Sequence, residues 1–89
     1  MKLDEVNPEM APYIIINGDN HTKVADAISK YYGAKVVHCD DDNCSVIHTP
    51  SGSNVEQAFC MEEEKMEESL NNLRLAYPDI QFNEEDIEF

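Results

Sequence analysis

Apolar residues fall along this chain in short runs and spaced stripes, each closed by polar turn residues. Tyr13-Ile14-Ile15-Ile16 is a β-rich run ending in Asn17-Gly18-Asp19-Asn20, the pattern of a buried strand entering a turn. Val24, Ala27, Ile28 and Tyr31 recur at i, i+3, i+4 and i+7, which predicts a helix capped near Thr22 and stopped by Gly33. Residues 34–39 and 44–49 are β-prone runs around Asp40-Asp41-Asp42-Asn43 and predict a hairpin with a four-residue loop. After the turn at residues 50–54, residues 55–61 read as another strand or as the first turns of a long helix, with the strand favoured. Met66, Leu70, Leu73 and Tyr77 then form a stripe that predicts a helix over residues 62–77, ended by Pro78. Ile80-Gln81-Phe82 reads as a last short strand.

The resulting order, β-α-β-β-β-α-β, predicts an α+β fold with two helices packed on one face of a mainly antiparallel sheet. Residues 1–11 read as a mobile arm with Val6 or Met10 tucked against the body, residues 12–82 as a single domain, and residues 83–89 as an acidic tail. A chain of 89 residues supports one small core. With 42% apolar residues it is too hydrophobic to stay wholly disordered despite a net charge of −13.

Charge is distributed unevenly. Residues 1–39 carry five acids and four bases, whereas residues 40–89 carry fourteen acids and two bases, a net of −12. Such a surplus costs stability through self-repulsion, so the field itself is a candidate function, and a basic protein is the partner it suits. Direct binding to nucleic acid or to an anionic membrane is disfavoured by repulsion. No run approaches the roughly 18 apolar residues of a membrane helix. The start MKLDEVNPEM lacks the n- and h-regions of a signal peptide, so a cytoplasmic location is expected. Cys39, Cys44 and Cys60 are then expected as reduced thiols.

Pairing the expected hairpin residue by residue tests the catalytic and metal readings. Cys39 faces Cys44, His38 faces Ser45, Val37 faces Val46 and Lys35 faces His48. Alternation sends His38 and Cys39 to opposite faces, so they form no dyad. Cys44 and His48 share a face but lie about 13 Å apart, too far to share a zinc ion. The set Cys39, Cys44, His48 and Cys60 fits no ordinary zinc spacing, and no metal or cofactor is expected. His38 and Ser45 have no orienting acid visible in the sequence, so no catalytic residues and no enzymatic activity are expected. The Asp40–Asn43 turn lacks the glycine and distant glutamate of a calcium loop. Asp19 beside Gly18 would repel a nucleotide phosphate.

The remaining constellation is acidic: Asp40, Asp41 and Asp42 in the hairpin loop; Glu62, Glu63, Glu64, Glu67 and Glu68 at the start of the second long helix; and Glu84, Glu85, Asp86 and Glu88 in the tail. Like charges one helical turn apart cost roughly 0.2–0.5 kcal/mol per pair, partly offset by the macrodipole. An ordinary solvated face accounts for the helix alone, but recurrence of one sign in loop, helix and tail suggests a surface that imitates a phosphate backbone.

In size, charge and the blocks DDD (40–42), EEEKMEE (62–68) and NEEDIEF (83–89), the chain resembles the small acidic DNA mimics of bacteriophages, including the Arn type of anti-restriction proteins. The blocks cover about a fifth of the chain, and such mimics do not share one fold. The resemblance implies a non-enzymatic inhibitor in the host cytoplasm. It would occupy the DNA-binding site of a restriction, defence or nucleoid-associated protein, in some cases as a homodimer that lengthens the acidic track. The alternative is a generic acidic interaction module, an adaptor, antitoxin-like or assembly subunit, that binds a basic partner without imitating DNA. In it Ile87 and Phe89 would make the tail a docking peptide.

Overall fold

The computed structural model describes residues 2–88 and shows an α+β domain. In chain order it contains β1 (Tyr13–Asn17), α1 (His21–Tyr32), β2 (Val36–Cys39), β3 (Cys44–His48), α2 (Asn54–Phe59), α3 (Glu63–Ala76) and β4 (Ile87–Glu88). Short 3-10 turns occupy Leu3–Glu5, Pro8–Met10, Asp40–Asp42 and Glu84–Asp86. The sheet is antiparallel throughout, with strand order β2-β3-β1-β4. Among the described residues no helix is long and apolar enough to cross a membrane.

β1 is central because its alternating side chains serve two layers. Ile14 and Ile16 face the helices, where they are buried with Ile47, Val24, Ile28, Phe59, Leu70 and Leu73. Ile15 faces the other side, against a smaller cluster of Cys39, Cys44 and Val46. The N-terminal residues cover that second face: Leu3, Val6 and Met10 pack on the cluster, the Leu3 N–H donates to the Asp42 carboxylate, and Thr49 N–H donates to Pro12 O at 2.8 Å. The hairpin has the expected register, with Cys39 opposite Cys44, His38 opposite Ser45 and Val37 opposite Val46.

Several elements differ from the sequence reading. Residues 55–61 are not a strand: Asn54–Phe59 is helix α2. Ser53 Oγ accepts the Glu56 N–H at its N-terminus, and Val55, Ala58 and Phe59 bury at i, i+3 and i+4. Ile80–Phe82 is not a strand either. Phe82 plugs the core while its carbonyl accepts both Nε (3.2 Å) and Nη2 (2.6 Å) of Arg74. The last strand lies instead in the expected tail, where Ile87 and Glu88 pair with Ile16 and Ile15. The α1 N-cap is Asn20 rather than Thr22, and Tyr31 of the expected stripe is 47% exposed. Tyr32 packs inward in its place, edge-on to Phe59 at 5.5 Å. Gly33 stops α1 as expected, with φ +71°.

The two-sided role of β1 predicts unequal costs of truncation. Ile16→Ala should lower unfolding free energy by about 2–5 kcal/mol, and Ile15→Ala, beneath the thinner arm layer, by less. Urea denaturation of both variants checks this, and equal losses would contradict the assignment of faces.

Candidate functional site

Strand direction decides where the acids gather. β1 and β2 end, and β3 and β4 begin, at the same edge of the sheet. That edge therefore carries the turns 18–20, 40–43 and 83–86, whose acids are Asp19, Asp40, Asp41, Asp42, Glu84, Glu85 and Asp86. None of the three turns contains Lys or Arg. The turns touch one another. Asn43 Nδ2 donates to Asp19 Oδ1 at 3.1 Å, and a Cβ at Gly18 would lie 3.6 Å from the Asp86 carboxylate. Asn83 Nδ2 donates to Asp86 Oδ2 at 3.4 Å. Asn43 adopts the left-handed conformation, φ 55°, which lets the Asp40–Asp42 turn close tightly onto β3.

Helix α3 extends the acidic edge on one side only. Glu63 lines an open groove of about 550 Å³ together with Met66, Arg74, Asn83, Glu84, Glu85 and Ile87. Arg74 is held there by Phe82 O and by Asn71 Oδ1, so its guanidinium anchors the segment that leads into the Glu84–Asp86 turn. The other expected positions diverge. Glu62 borders Ser51, Gly52 and Met61, Glu68 borders Tyr31 and Tyr32, and Glu64 and Glu67 are exposed along α3. Glu88 pairs opposite Ile15 and faces the arm side. Ile87 is buried beneath the helices and cannot serve as a docking side chain, while Phe89 lies outside the described residues. Asp19 was missed by sequence reasoning because it reads as turn punctuation; only the strand order brings it beside the other acids.

A second constellation lies on the helical face of the hairpin. Ser45 Oγ sits 2.7 Å from His21 Nδ1 and 2.7 Å from His38 Nδ1, and His38 Nε2 sits 3.0 Å from Asp26 Oδ1. The acid that the sequence did not reveal is thus supplied by α1. A carboxylate only accepts, so His38 Nε2–H donates to Asp26; in neutral His38 the Nδ1 then accepts the Ser45 hydroxyl, whose oxygen accepts His21 Nδ1–H. The wire runs in one direction from the buried His21 to the half-exposed Asp26. Ser45 has 0% exposure and its oxygen is engaged by both imidazoles, so no substrate carbonyl can approach it. This arrangement fixes α1 against the hairpin. It leaves no open nucleophile.

The thiols and His48 are engaged elsewhere. Cys39 and Cys44 are buried under the arm, Cys60 is exposed after α2, and His48 Nδ1–H donates to Met10 O at 2.5 Å. Burial pushes the Cys39 and Cys44 thiols above their ordinary range, and Asp42 adds to the effect at both. Among the described residues no group of three or more His, Cys, Asp or Glu is placed to hold a metal ion.

The wire predicts an order of costs. Ser45→Ala strands two imidazole nitrogens and should cost about 1–3 kcal/mol. Asp26→Ala, whose side chain is 51% exposed, should cost about 0–1 kcal/mol. Denaturant midpoints of the two variants check the ranking, and a larger loss at Asp26 would reverse the account.

No protein family, curated protein or solved structure matches this chain.

Proposed function

We propose that this protein is a non-enzymatic acidic inhibitor that imitates duplex DNA and occupies the DNA-binding surface of a basic host protein, of the restriction, defence or nucleoid-associated class. The observation that supports this reading is the acidic sheet edge. Seven carboxylates lie in three adjoining turns along four strands. At the usual strand spacing the edge is about 14 Å wide, which gives about one charge per 2 Å. Duplex DNA carries one per about 1.7 Å of axis. Glu63 and the groove beside Glu84 and Glu85 lengthen that edge onto α3.

A Lys or Arg that tracks DNA would meet anionic oxygens of comparable density here. Attraction of this kind raises the encounter rate and weakens as salt screens it. The generic interaction module draws on the same charges, and the two readings separate on competition. A partner recovered on the immobilised protein should release it when duplex DNA is added. Simultaneous binding of DNA and this protein at full affinity would exclude mimicry.

Reversal of Asp40, Glu63, Glu84 and Glu85 to Lys removes exposed charge from the edge and replaces no core residue. The fourfold variant should bind the recovered partner more than about tenfold more weakly, a loss above about 1.4 kcal/mol, with its circular dichroism unchanged. Glu68→Lys, beside Tyr31 and Tyr32, should cost much less. Calorimetric titration of both variants decides whether the sheet edge or the length of α3 is the contact.

A further inference from the structure

Cys39 and Cys44 close the hairpin on the arm side. They are direct cross-strand partners, and both are fully buried. His48 N–H donates to Lys35 O, so hydrogen-bonded rungs alternate from Lys35–His48 through Val37–Val46 to Cys39–Cys44. On such a rung the Cα atoms stand about 5.5 Å apart, inside the Cα range of disulfides, while the Cβ atoms, also about 5.5 Å apart, must close to about 4.5 Å, a small local shift beside the hairpin turn. Alternation points both sulfurs to the same face of the sheet. Above them lie Leu3, Val6 and Met10 of the arm. The arm is fastened at one end by the Leu3 N–H bond to the Asp42 carboxylate and at the other by His48 on Met10 O.

We propose that Cys39 and Cys44 are a modification site: a dithiol that small-molecule disulfides oxidise to an intramolecular disulfide when the N-terminal arm lifts. One cysteine loses its proton, and its thiolate attacks a sulfur of the small disulfide. This forms a mixed disulfide and expels one small thiolate, which takes up the proton. The second cysteine, also deprotonated, attacks the protein-bound sulfur, forms the Cys39–Cys44 bond and expels the second small thiolate, which is protonated in turn. Two cysteine thiols are oxidised and one small disulfide is reduced to two thiols. The arm limits access, and Asp40, Asp42 and Glu88 surround the pair with negative charge, which suits a cationic disulfide over an anionic one. The product closes the Asp40–Asn43 turn into a covalent ring. This inference stands apart from the DNA-mimic reading, because it needs no partner.

The test treats the full chain with cystamine, a cationic disulfide, followed by proteolysis at Asp40 to Asp42, which separates the two cysteines unless they are bonded. Exposed Cys60 reports the reaction of an open thiol. The expected result is a Cys39–Cys44 bond that forms more slowly than the mixed disulfide at Cys60 and reverts with dithiothreitol. Val6→Asp, which unseats the arm, should speed it several-fold, and Cys44→Ser should stop the reaction at a mixed disulfide on Cys39. Bond formation in Val6→Asp alone still assigns the site and makes the arm its gate. Cys39 and Cys44 that stay reduced in both forms, each carry their own cysteamine, or bond to Cys60 or to a second chain overturn the proposal.

Discussion

The pairing of β1 with β3 is the constraint on which the rest of the molecule depends. It is the longest ladder in the sheet, running from Tyr13–His48 to Asn17–Cys44, and it decides three things together. It turns Ile14, Ile16 and Ile47 toward the helices. It presents Ile15 and Val46 to the arm. It also brings the end of β1 level with the start of β3, which sets the Asp19 turn against the Asp40–Asp42 turn. Apolar burial in the helical layer, at roughly 25 cal/mol per Å² of surface removed from water, offsets the repulsion that this edge accumulates.

The acidic edge is not charge added to an indifferent frame. Asp42 accepts the Leu3 N–H of the arm, Asp19 accepts from Asn43 of the neighbouring turn, and Asp86 accepts from Asn83 in its own turn, so each of these carboxylates also satisfies a polar group. Short Asp and Asn side chains favour such turns because they hydrogen-bond nearby backbone and tolerate unusual dihedrals. The same residues therefore close the loops and create the field. Salt acts on these roles in opposite directions: it relieves repulsion within the folded chain and weakens attraction to a basic partner.

Where local pattern and tertiary need agreed, the sequence was readable. The hairpin register followed from a four-residue polar loop between alternating runs, and α3 from the Met66, Leu70, Leu73 stripe. Helix α2 was misread because the short stretch of residues 55–61, five apolar residues interrupted by Glu56 and Gln57, suits strand or helix equally; the deciding signal was Ser53 three residues before Glu56, a capping pair. Ile80–Phe82 is β-prone, yet Arg74 holds the Phe82 carbonyl and turns the segment into the core instead. β4 is two residues long, too short to show a period. Of the candidate site, the acids other than Asp19 were evident individually, but their assembly was not. Asp19, Asp42 and Asp86 meet only through strand order, and Asp26 reaches His38 from a separate helix.

Two adjoining rungs of the hairpin carry opposite chemistry, and this specifies the register more firmly than apolar packing could. His38 and Ser45 face the helices, where Ser45 completes the wire between His21 and Asp26. Cys39 and Cys44 face the arm, in an apolar layer with Val46 and Ile15. A slip of β3 by one residue would exchange its faces. Ser45 would enter the arm layer without a partner, and His21 would meet a side chain unable to satisfy its Nδ1–H. Unsatisfied buried polar groups cost about 1–3 kcal/mol each, so the misregistered sheet is penalised on both faces together. A hairpin whose turn lies on a self-repelling edge has reason to need that penalty, since the charge favours any rearrangement that spreads the turns apart.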